Sequence, residues 1–431
     1  MKKDQVAPAP PMGWHSGACY GTGVNEAQLL SNAEYVEANL RDYGFEYIVC
    51  DIQWSEPHAG EAQWDPVPFA RLTLDRYGRP QPAENRFPSA KRGQGFAPMA
   101  ELIHAMGLKF GLQLMRGVPR LAVHKQMPVL GTDTTCDKIA ATNDICSFNT
   151  DMYGVDYTKP GAQAYYHSLF KQYAQWGVDF VGVGDLCRTE GNPENLYCAE
   201  KELDMIRSAM DQSGREMVLS LTHGPAVLDK AWHMGKCANQ WQIGEGIQDD
   251  WASIKAVFPY CEAWQRQAAV GCWPDCGVMP LGKIHVMGDG EGRFTNLNRQ
   301  EQITMLTLWS MFRSPLFISS ALKDNDEFTL SLLQNRRVLR LNRYSRNVRQ
   351  IFRTENQAAF TSTDEDDGLY VALFNLSDET REISLGFHTL GVAGRFTVEE
   401  IWRHQNMGEA ERGIWARIPA HGAALYLLRP I

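Results

Sequence analysis

Hydrophobic positions along most of the chain follow a repeating order of amphipathic helix, glycine stop and apolar strand. Behind Asn25, which can cap a helix, apolar residues recur at helical spacing up to Leu40; Gly44 then ends the helix, and residues 45–52 follow as a strand. The same order returns at residues 96–115, 160–184 and 201–221. Because the strand segments are apolar throughout and do not alternate with polar residues, they predict buried parallel strands joined by helices.

Eight strand segments of this kind can be placed along the chain. They cover residues 12–15, 47–52, 109–115, 180–184, 217–221, 240–243, 278–281 (the weakest) and 316–319. Eight strands with intervening helices predict an α/β fold, a closed (β/α)8 TIM barrel. A doubly wound open sheet is the alternative, but no GxGxxG turn follows the first strand and no phosphate-binding loop occurs.

The pattern changes after residue 335. Strand-like runs at residues 369–376, 382–387, 396–402 and 422–428 are separated by turn residues, without a long helix. We therefore predict two domains, a barrel over residues 1–335 and an antiparallel β-sandwich over residues 336–431.

Composition narrows the possible partners. The 431 residues include 42 basic and 51 acidic side chains, a net charge of −9, which argues against nucleic-acid binding. The first ten residues lack the apolar run of a secretion signal, and no apolar stretch of membrane-spanning length occurs, so a cytoplasmic protein without membrane contact is expected. The ten cysteines form no CxxC framework, and the pairs Cys272/Cys276 and His233/Cys237 lack a second half. We expect neither a metal nor a cofactor.

Polar and aromatic side chains gather at the predicted carboxyl ends of the barrel strands, where TIM barrels hold their active sites. They are Trp14, His15, Asp51, Gln53, Trp54, Gln113, Met115, Arg116, Asp185, Thr222, His223, Gln242, Glu245 and Asp275. Tryptophan faces can cover the C–H face of a sugar ring while acids and amides bind its hydroxyls, so these residues predict a carbohydrate site. Packing at the barrel mouth is the alternative for Trp14 and Trp54. Asp249 and Asp250 precede an amphipathic stretch and are expected at a helix N-terminus.

Around these strand ends the sequence resembles glycoside hydrolase family 27, the α-galactosidase and α-N-acetylgalactosaminidase family. The matching segments run in order through the chain: PPMGW (10–14), YIVCDIQW (47–54), MYGVDYTKPGAQAYY (152–166), WGVDFVGVGDLC (176–187), ANQWQIGEGIQDDW (238–251), WPDCGVMPLG (273–282) and SPLFISS (314–320). The resemblance implies a retaining α-glycosidase, in which two carboxyl groups about 5–5.5 Å apart act as nucleophile and as acid/base.

The catalytic positions depart from the family pattern. Laid on residues 179–181 without a gap, the family pattern puts its nucleophile position at Gly184 and its lysine position at Gly182, and its acid/base position holds Gly246. An alignment anchored on Cys187, with a one-residue insertion, would instead place Asp185 at the nucleophile position. Gln242 replaces the family's arginine, Gly277 replaces the second acid of an Asp-x-Asp sugar clamp, and His15 and Gly17 replace an asparagine and a tryptophan. The resemblance implies sugar-binding roles for Trp14, Asp51 and Trp54, and places Asp275 at a neighbouring position. Gln113 and Gln242 complete the predicted substrate-binding set.

Three functions are compatible with these residues. The first is an α-galactosidase-like scaffold that binds a terminal α-galactoside or α-N-acetylgalactosaminide, with hydrolysis lost or impaired. The second is an active retaining α-glycosidase that uses Asp185 and Glu245, each one residue away from a glycine that replaces a family carboxylate. Because successive side chains of a strand point to opposite faces, a displacement by one residue normally aims the carboxylate away from the pocket. The third is a metal-dependent enzyme built from His15, His223 and the Cys272/Cys276 pair.

Overall fold

The barrel consists of eight parallel strands. A computed structural model describes residues 3–189, 192, 194–288 and 290–431. The barrel strands are Met12–His15, Tyr47–Cys50, Lys109–Met115, Phe180–Gly184, Val218–Thr222, Gln240–Gln242, Trp273–Asp275 and Leu316–Ile318. Each pairs in parallel with the next in this order up to the seventh, and the eighth pairs with the first. The predicted barrel is confirmed.

The seventh strand lies earlier in the chain than predicted. The strand is Trp273–Asp275, whereas residues 278–281 touch the sheet only at Met279. Gly277 has a positive φ of 108° and turns the chain out of the strand direction. Met279 then donates to Phe317 O at 2.8 Å and accepts from Ser319 N at 3.0 Å. This bridge closes the barrel between its seventh and eighth strands.

Helices between successive strands cover the outside of the barrel, and two more follow the eighth strand. The principal ones are Glu26–Asn39, Ala97–Ala105, Ala162–Gln175, Glu200–Gln212, Ala231–Cys237, Trp251–Trp264, Arg299–Phe312, Glu327–Leu333 and Arg336–Tyr344. Asn25 caps the first of these through a capping box with Gln28, as its sequence predicts. Asp250 accepts from Ser253 N and so caps a helix as expected, whereas Asp249 binds Asn296 N instead. Within the described residues, no helix is both long enough and apolar enough to span a lipid bilayer.

Several shorter helices and strands lie in the connections between the main strands. The short helices are Gly17–Tyr20, Arg120–His124, Cys136–Ile139 and Phe387–Leu390. A small three-stranded sheet consists of Val118–Pro119, Met152–Val155 and Ala140–Ala141. A separate two-stranded antiparallel pair consists of Lys283–Ile284 and Arg293–Phe294. The small sheet follows the third barrel strand and carries the segment around residues 144–148 toward the carboxyl ends of the barrel strands.

The C-terminal part of the chain is an antiparallel β-sandwich, as predicted. One sheet contains, in spatial order, Arg346–Arg353, Gln357–Thr363, Leu369–Asn375, Ala423–Pro430, Phe396–Glu400 and Gln405–Ala410. The other pairs Arg381–Gly386 with Gly413–Ile418. Apolar side chains from both sheets, such as Val371 and Ile383, form a core of their own. The domain boundary after residue 335 stays a prediction: residues 336–344 form a helix against Arg299–Phe312, before the first strand of the sandwich.

Candidate active site at the barrel mouth

A pocket lies over the carboxyl ends of the fourth, fifth and sixth barrel strands. Its volume is about 130 Å³, and its lining includes Asp185, His223 and Glu245, each following one of these strands. The exposed ring of Phe148 covers His223, with ring centroids 4.4 Å apart. This is the face on which TIM barrels carry their active sites. The structure thus brings the two candidate carboxylates, Asp185 and Glu245, to one pocket.

Asp185 is held in an ion pair beneath this pocket. It has a positive φ of 62°, is 3% exposed, and its Oδ2 lies 2.7 Å from Arg116 Nη2. Arg116 Nε also donates to Asp185 O at 2.8 Å. Burial raises the pKa of Asp185 to about 6, although the guanidinium opposes this rise. One oxygen of the carboxylate is therefore committed to Arg116.

Arg116 joins Asp185 to two further buried or half-buried acids. Its guanidinium makes two hydrogen bonds to Asp144, at 2.7 and 2.8 Å, and one to Glu202 at 2.9 Å. Tyr166 donates its hydroxyl to the other oxygen of Glu202. Three carboxylates share one cation, and burial also raises the pKa of Glu202. No local sequence pattern indicates this cluster, because its acids lie 28 to 86 residues from Arg116 along the chain.

Neighbouring side chains take up the space beside the two glycines of the fourth strand. A Cβ on Gly182 would lie 1.7 Å from Gln113 Oε1, and Gln113 Nε2 donates to Thr222 Oγ1. A Cβ on Gly184 would lie 2.7 Å from Met115 Sδ and 3.0 Å from a ring nitrogen of His223. Any side chain at either position requires its neighbours to move.

Residues in and just after the sixth strand surround Gly246, which occupies the family's acid/base position. Gly246 has a positive φ of 110°, a conformation that other L-residues rarely adopt. Gln242 accepts from His223 N at 3.1 Å, and its Nε2 lies 3.3 Å from the position of a Cβ on Gly246. Glu245 is exposed. Apart from the adjoining residues Glu245 and Ile247, the amide of Gln242 therefore lies nearest the empty acid/base position.

His15 and Asp51 meet at the ends of the first two strands. His15 Nε2 lies 4.0 Å from Asp51 Oδ1, while His15 Nδ1 accepts from Gly17 N at 3.1 Å. Burial lowers the pKa of His15 and so favours the neutral ring, and the hydrogen bond from Gly17 N to Nδ1 places the proton of that neutral form on Nε2. A Cβ on Gly17 would lie 2.6 Å from Asp51 Oδ2, so the glycine permits this approach. Asp51 remains partly exposed and also accepts from Ile52 N at 2.7 Å.

The other predicted sugar-binding residues are buried among protein atoms. Trp14 is fully buried and donates to Ser320 O at 2.8 Å, and Trp54 is 2% exposed and donates to Gln113 O at 3.0 Å. Asp275 is 7% exposed and accepts from Gly277 N at 2.8 Å, and burial raises its pKa to about 6. These contacts give each residue a structural role, and contact with a sugar stays a prediction.

The residues considered for a metal-dependent enzyme do not assemble. Cys276 Sγ lies 3.6 Å from Cys261 Sγ, and Cys272 Sγ lies 3.3 Å from Lys3 Nζ. Across the part of the chain that the structure describes, a different trio, Asp204, His233 and Cys237, is the one that brings three potential ligand atoms within 4.8 Å of one another.

Comparison with known proteins matches both halves of this architecture. The alpha galactosidase A family model matches residues 145–344, and the model of the alpha galactosidase C-terminal beta sandwich domain matches residues 355–428. The crystal structure of a GH27 β-L-arabinopyranosidase from Geobacillus stearothermophilus is 43% identical, covers 100% of this chain and 98% of that chain, and superposes with a TM-score of 0.96. This chain belongs to glycoside hydrolase family 27.

Further relatives carry other names within the family. A putative α-N-acetylgalactosaminidase from Bacillus halodurans is also 43% identical, with 98% of this chain and 97% of that chain covered and a TM-score of 0.87. An α-galactosidase from Cyamopsis tetragonoloba is 22% identical over 100% of this chain and 88% of its own length. The family membership inferred from the strand-end motifs is confirmed.

Proposed function

We propose that this family 27 member binds a terminal sugar at the barrel mouth and hydrolyses glycosides weakly or not at all. The observation that carries the proposal is the packing around Gly182 and Gly184, where Gln113, Met115 and His223 fill the space next to the backbone. A retaining mechanism needs a carboxylate free to attack the anomeric carbon. The adjacent carboxylate, Asp185, is instead buried against Arg116.

The proposed ligand is a terminal α-D-galactoside, an α-N-acetylgalactosaminide or a β-L-arabinopyranoside. The names of the 43%-identical relatives support this class. β-L-Arabinopyranose has the ring configuration of α-D-galactose without the C6 hydroxymethyl group, so one pocket can accept both rings. Phe148 offers an exposed aromatic face at the pocket, and His15 and Asp51, which do not line that pocket, offer polar atoms at the ends of the first two barrel strands. The pocket is smaller than the roughly 300 Å³ at which typical ligand sites begin, which suits one sugar unit.

An active retaining glycosidase is the second candidate, because Asp185 and Glu245 line the same pocket. In that mechanism Asp185 attacks the anomeric carbon while Glu245 protonates the leaving oxygen, and Glu245 later takes a proton from the attacking water. The ion pair of Asp185 with Arg116 counts against it, because the attacking oxygen must leave that cation or react beside it.

Turnover of aryl glycosides separates the two candidates. We would assay 4-nitrophenyl α-D-galactopyranoside and β-L-arabinopyranoside with the unmodified protein, Asp185→Ala, Glu245→Ala and the exposed-acid control Asp211→Ala, and measure D-galactose and L-arabinose binding by calorimetry. The proposal expects sugar binding with little or no turnover in all four proteins, and any residual turnover should be the same in all four. Turnover that disappears in Asp185→Ala and persists in Asp211→Ala would establish the second candidate instead.

Introducing a carboxylate at position 184 tests the same proposal through a gain of activity. Gly184→Asp needs room, so we would combine it with Met115→Ala, which removes the sulfur that lies 2.7 Å from the new Cβ. An aryl leaving group needs little protonation, so the double variant is expected to release nitrophenol and to accumulate a glycosyl-enzyme, seen as one added sugar unit in the intact mass. Met115→Ala alone is the control. We leave Gly246 unchanged because its φ of 110° would strain any other side chain by about 1–3 kcal/mol.

A further inference from the structure

Two helices on the outside of the barrel bring together three metal-binding side chains. Asp204 lies on Glu200–Gln212, the helix after the fourth barrel strand, and His233 and Cys237 lie on Ala231–Cys237, the helix after the fifth. The histidine and the cysteine are four residues apart, so they share one face of their helix. None of the three lines the pocket that contains Asp185 and Glu245.

The three ligand atoms lie nearly at the corners of one face of a tetrahedron. His233 Nε2 is 3.0 Å from Asp204 Oδ1 and 3.6 Å from Cys237 Sγ, and Cys237 Sγ is 3.8 Å from Asp204 Oδ1. Tetrahedral zinc with bonds of about 2.3 Å to sulfur and about 2.0–2.1 Å to nitrogen and oxygen has donor–donor separations of roughly 3.3–3.6 Å. Shifts of a few tenths of an ångström would place an ion at bonding distance from all three atoms.

The surroundings orient these atoms and leave one side open. Tyr197 OH lies 3.1 Å from His233 Nδ1, which points Nε2 at the other two ligands, as outer hydrogen bonds do in known metal sites. His233 and Cys237 are 1% exposed, whereas the Asp204 side chain is 33% exposed, so a water can reach a fourth position. Lys201 and Lys236 contact Asp204 at 3.3 and 3.8 Å but are themselves exposed and can turn into solvent.

We propose that Asp204, His233 and Cys237 form a zinc site with water as the fourth ligand. On binding, the Cys237 thiol gives its proton to solvent, and the thiolate, the neutral His233 ring and the Asp204 carboxylate bind the ion. The metal links the helices that follow the fourth and fifth strands, so its function is to stabilise that part of the barrel wall. The competing explanation is a hydrogen bond between His233 and Asp204 with no ion.

Cobalt titration of the full chain, prepared without an affinity tag and freed of metal, tests the proposal. A thiolate-ligated tetrahedral Co²⁺ has a sulfur-to-cobalt charge-transfer band in the near ultraviolet and strong visible bands. We expect these bands to saturate at one Co²⁺ per chain and to disappear when Zn²⁺ is added. Cys272→Ser, which changes a cysteine outside the trio, should keep the bands, and Cys237→Ser should lose the charge-transfer band.

Asp204→Asn provides a second readout that leaves the buried thiol and imidazole in place. It should weaken Co²⁺ binding by at least about tenfold while the circular dichroism spectrum stays unchanged. If Cys237→Ser does not fold, this variant still decides the question. Absence of the bands in the unmodified chain, or equal binding by Asp204→Asn, would overturn the proposal.

Discussion

Replacing Asp185 with Asn should remove one specific source of pH-dependent stability. Burial raises the pKa of this carboxyl from 3.8 to about 6 in the folded protein. Between about pH 4 and pH 6 the folded state therefore keeps a proton that the unfolded chain has released, and the free energy of unfolding falls as the pH rises through that window. This direction is opposite to that of an acid whose pKa is lowered by folding.

The magnitude follows from the displacement of the pKa. The full effect is about 3 kcal/mol, of which about 2 kcal/mol develops between pH 4.5 and pH 7.5. Asn cannot ionise, so the free energy of unfolding of Asp185→Asn minus that of the unmodified protein should rise by about 2 kcal/mol across this range. Its new amide beside Arg116 adds an offset to this difference. Asp151 and Asp275, whose pKa values burial also raises to about 6, titrate in both proteins and cancel in the difference.

Urea unfolding at pH 4.5, 5.5, 6.5 and 7.5 measures this difference. Asp211→Asn, which removes an acid with a 46% exposed side chain from a surface ion pair, is the control and should show little change at any pH. A difference between Asp185→Asn and the unmodified protein that stays constant, or that falls with increasing pH, would refute the assignment of Asp185 as a buried acid that takes up a proton. Asp185 would then have to be solvated or more strongly paired than the structure shows.

Two further substitutions test the packing around the site, and a third tests a helix cap. Arg116→Met leaves the three carboxylates of its cluster without a cation and should lower the free energy of unfolding at pH 7 by about 3–5 kcal/mol in urea; a loss below 1 kcal/mol would show that these acids are not buried as a unit. Gly182→Ala places a methyl group against Gln113 Oε1 and should cost about 1–3 kcal/mol, most of which Gln113→Ser in the same chain should recover; a double-mutant cycle without such coupling contradicts the contact. Asn298→Ala removes the capping box of Arg299–Phe312 and should lower stability by about 1 kcal/mol in the same assay, whereas no change would mean that solvent replaces the cap.

Four of the eight barrel strands, the second to the fifth, could be predicted from a compact apolar run that follows a glycine helix stop. The fourth strand, Phe180–Gly184, falls where its sequence indicates. The seventh was misplaced by five residues because Trp273–Asp275 is only three residues long and contains a proline, which leaves no periodicity to recognise. The edge strands Arg346–Arg353 and Gln405–Ala410 of the sandwich also escaped prediction, because exposed positions outnumber buried ones in them.

The candidate site could be predicted in part. The strand-end motifs place Asp185, His223 and Glu245 at one end of the barrel, and the structure gathers all three at one pocket. They do not reveal that Trp14 and Trp54 donate their indole protons to backbone oxygens inside the protein. An aromatic residue at a strand end can turn to the pocket or to the core, and its neighbours in space decide which.

The sequence by itself determined the order of strands and helices, the membership of family 27 and the glycines at positions 184 and 246, because all of these depend on local pattern and motif. Only the tertiary structure decided what surrounds those glycines. Arg116 reaches Asp185 across 69 residues of chain, and Asp204 meets His233 across 29. Contacts of this range arise when the barrel closes and packs distant segments against each other, so no local pattern encodes them.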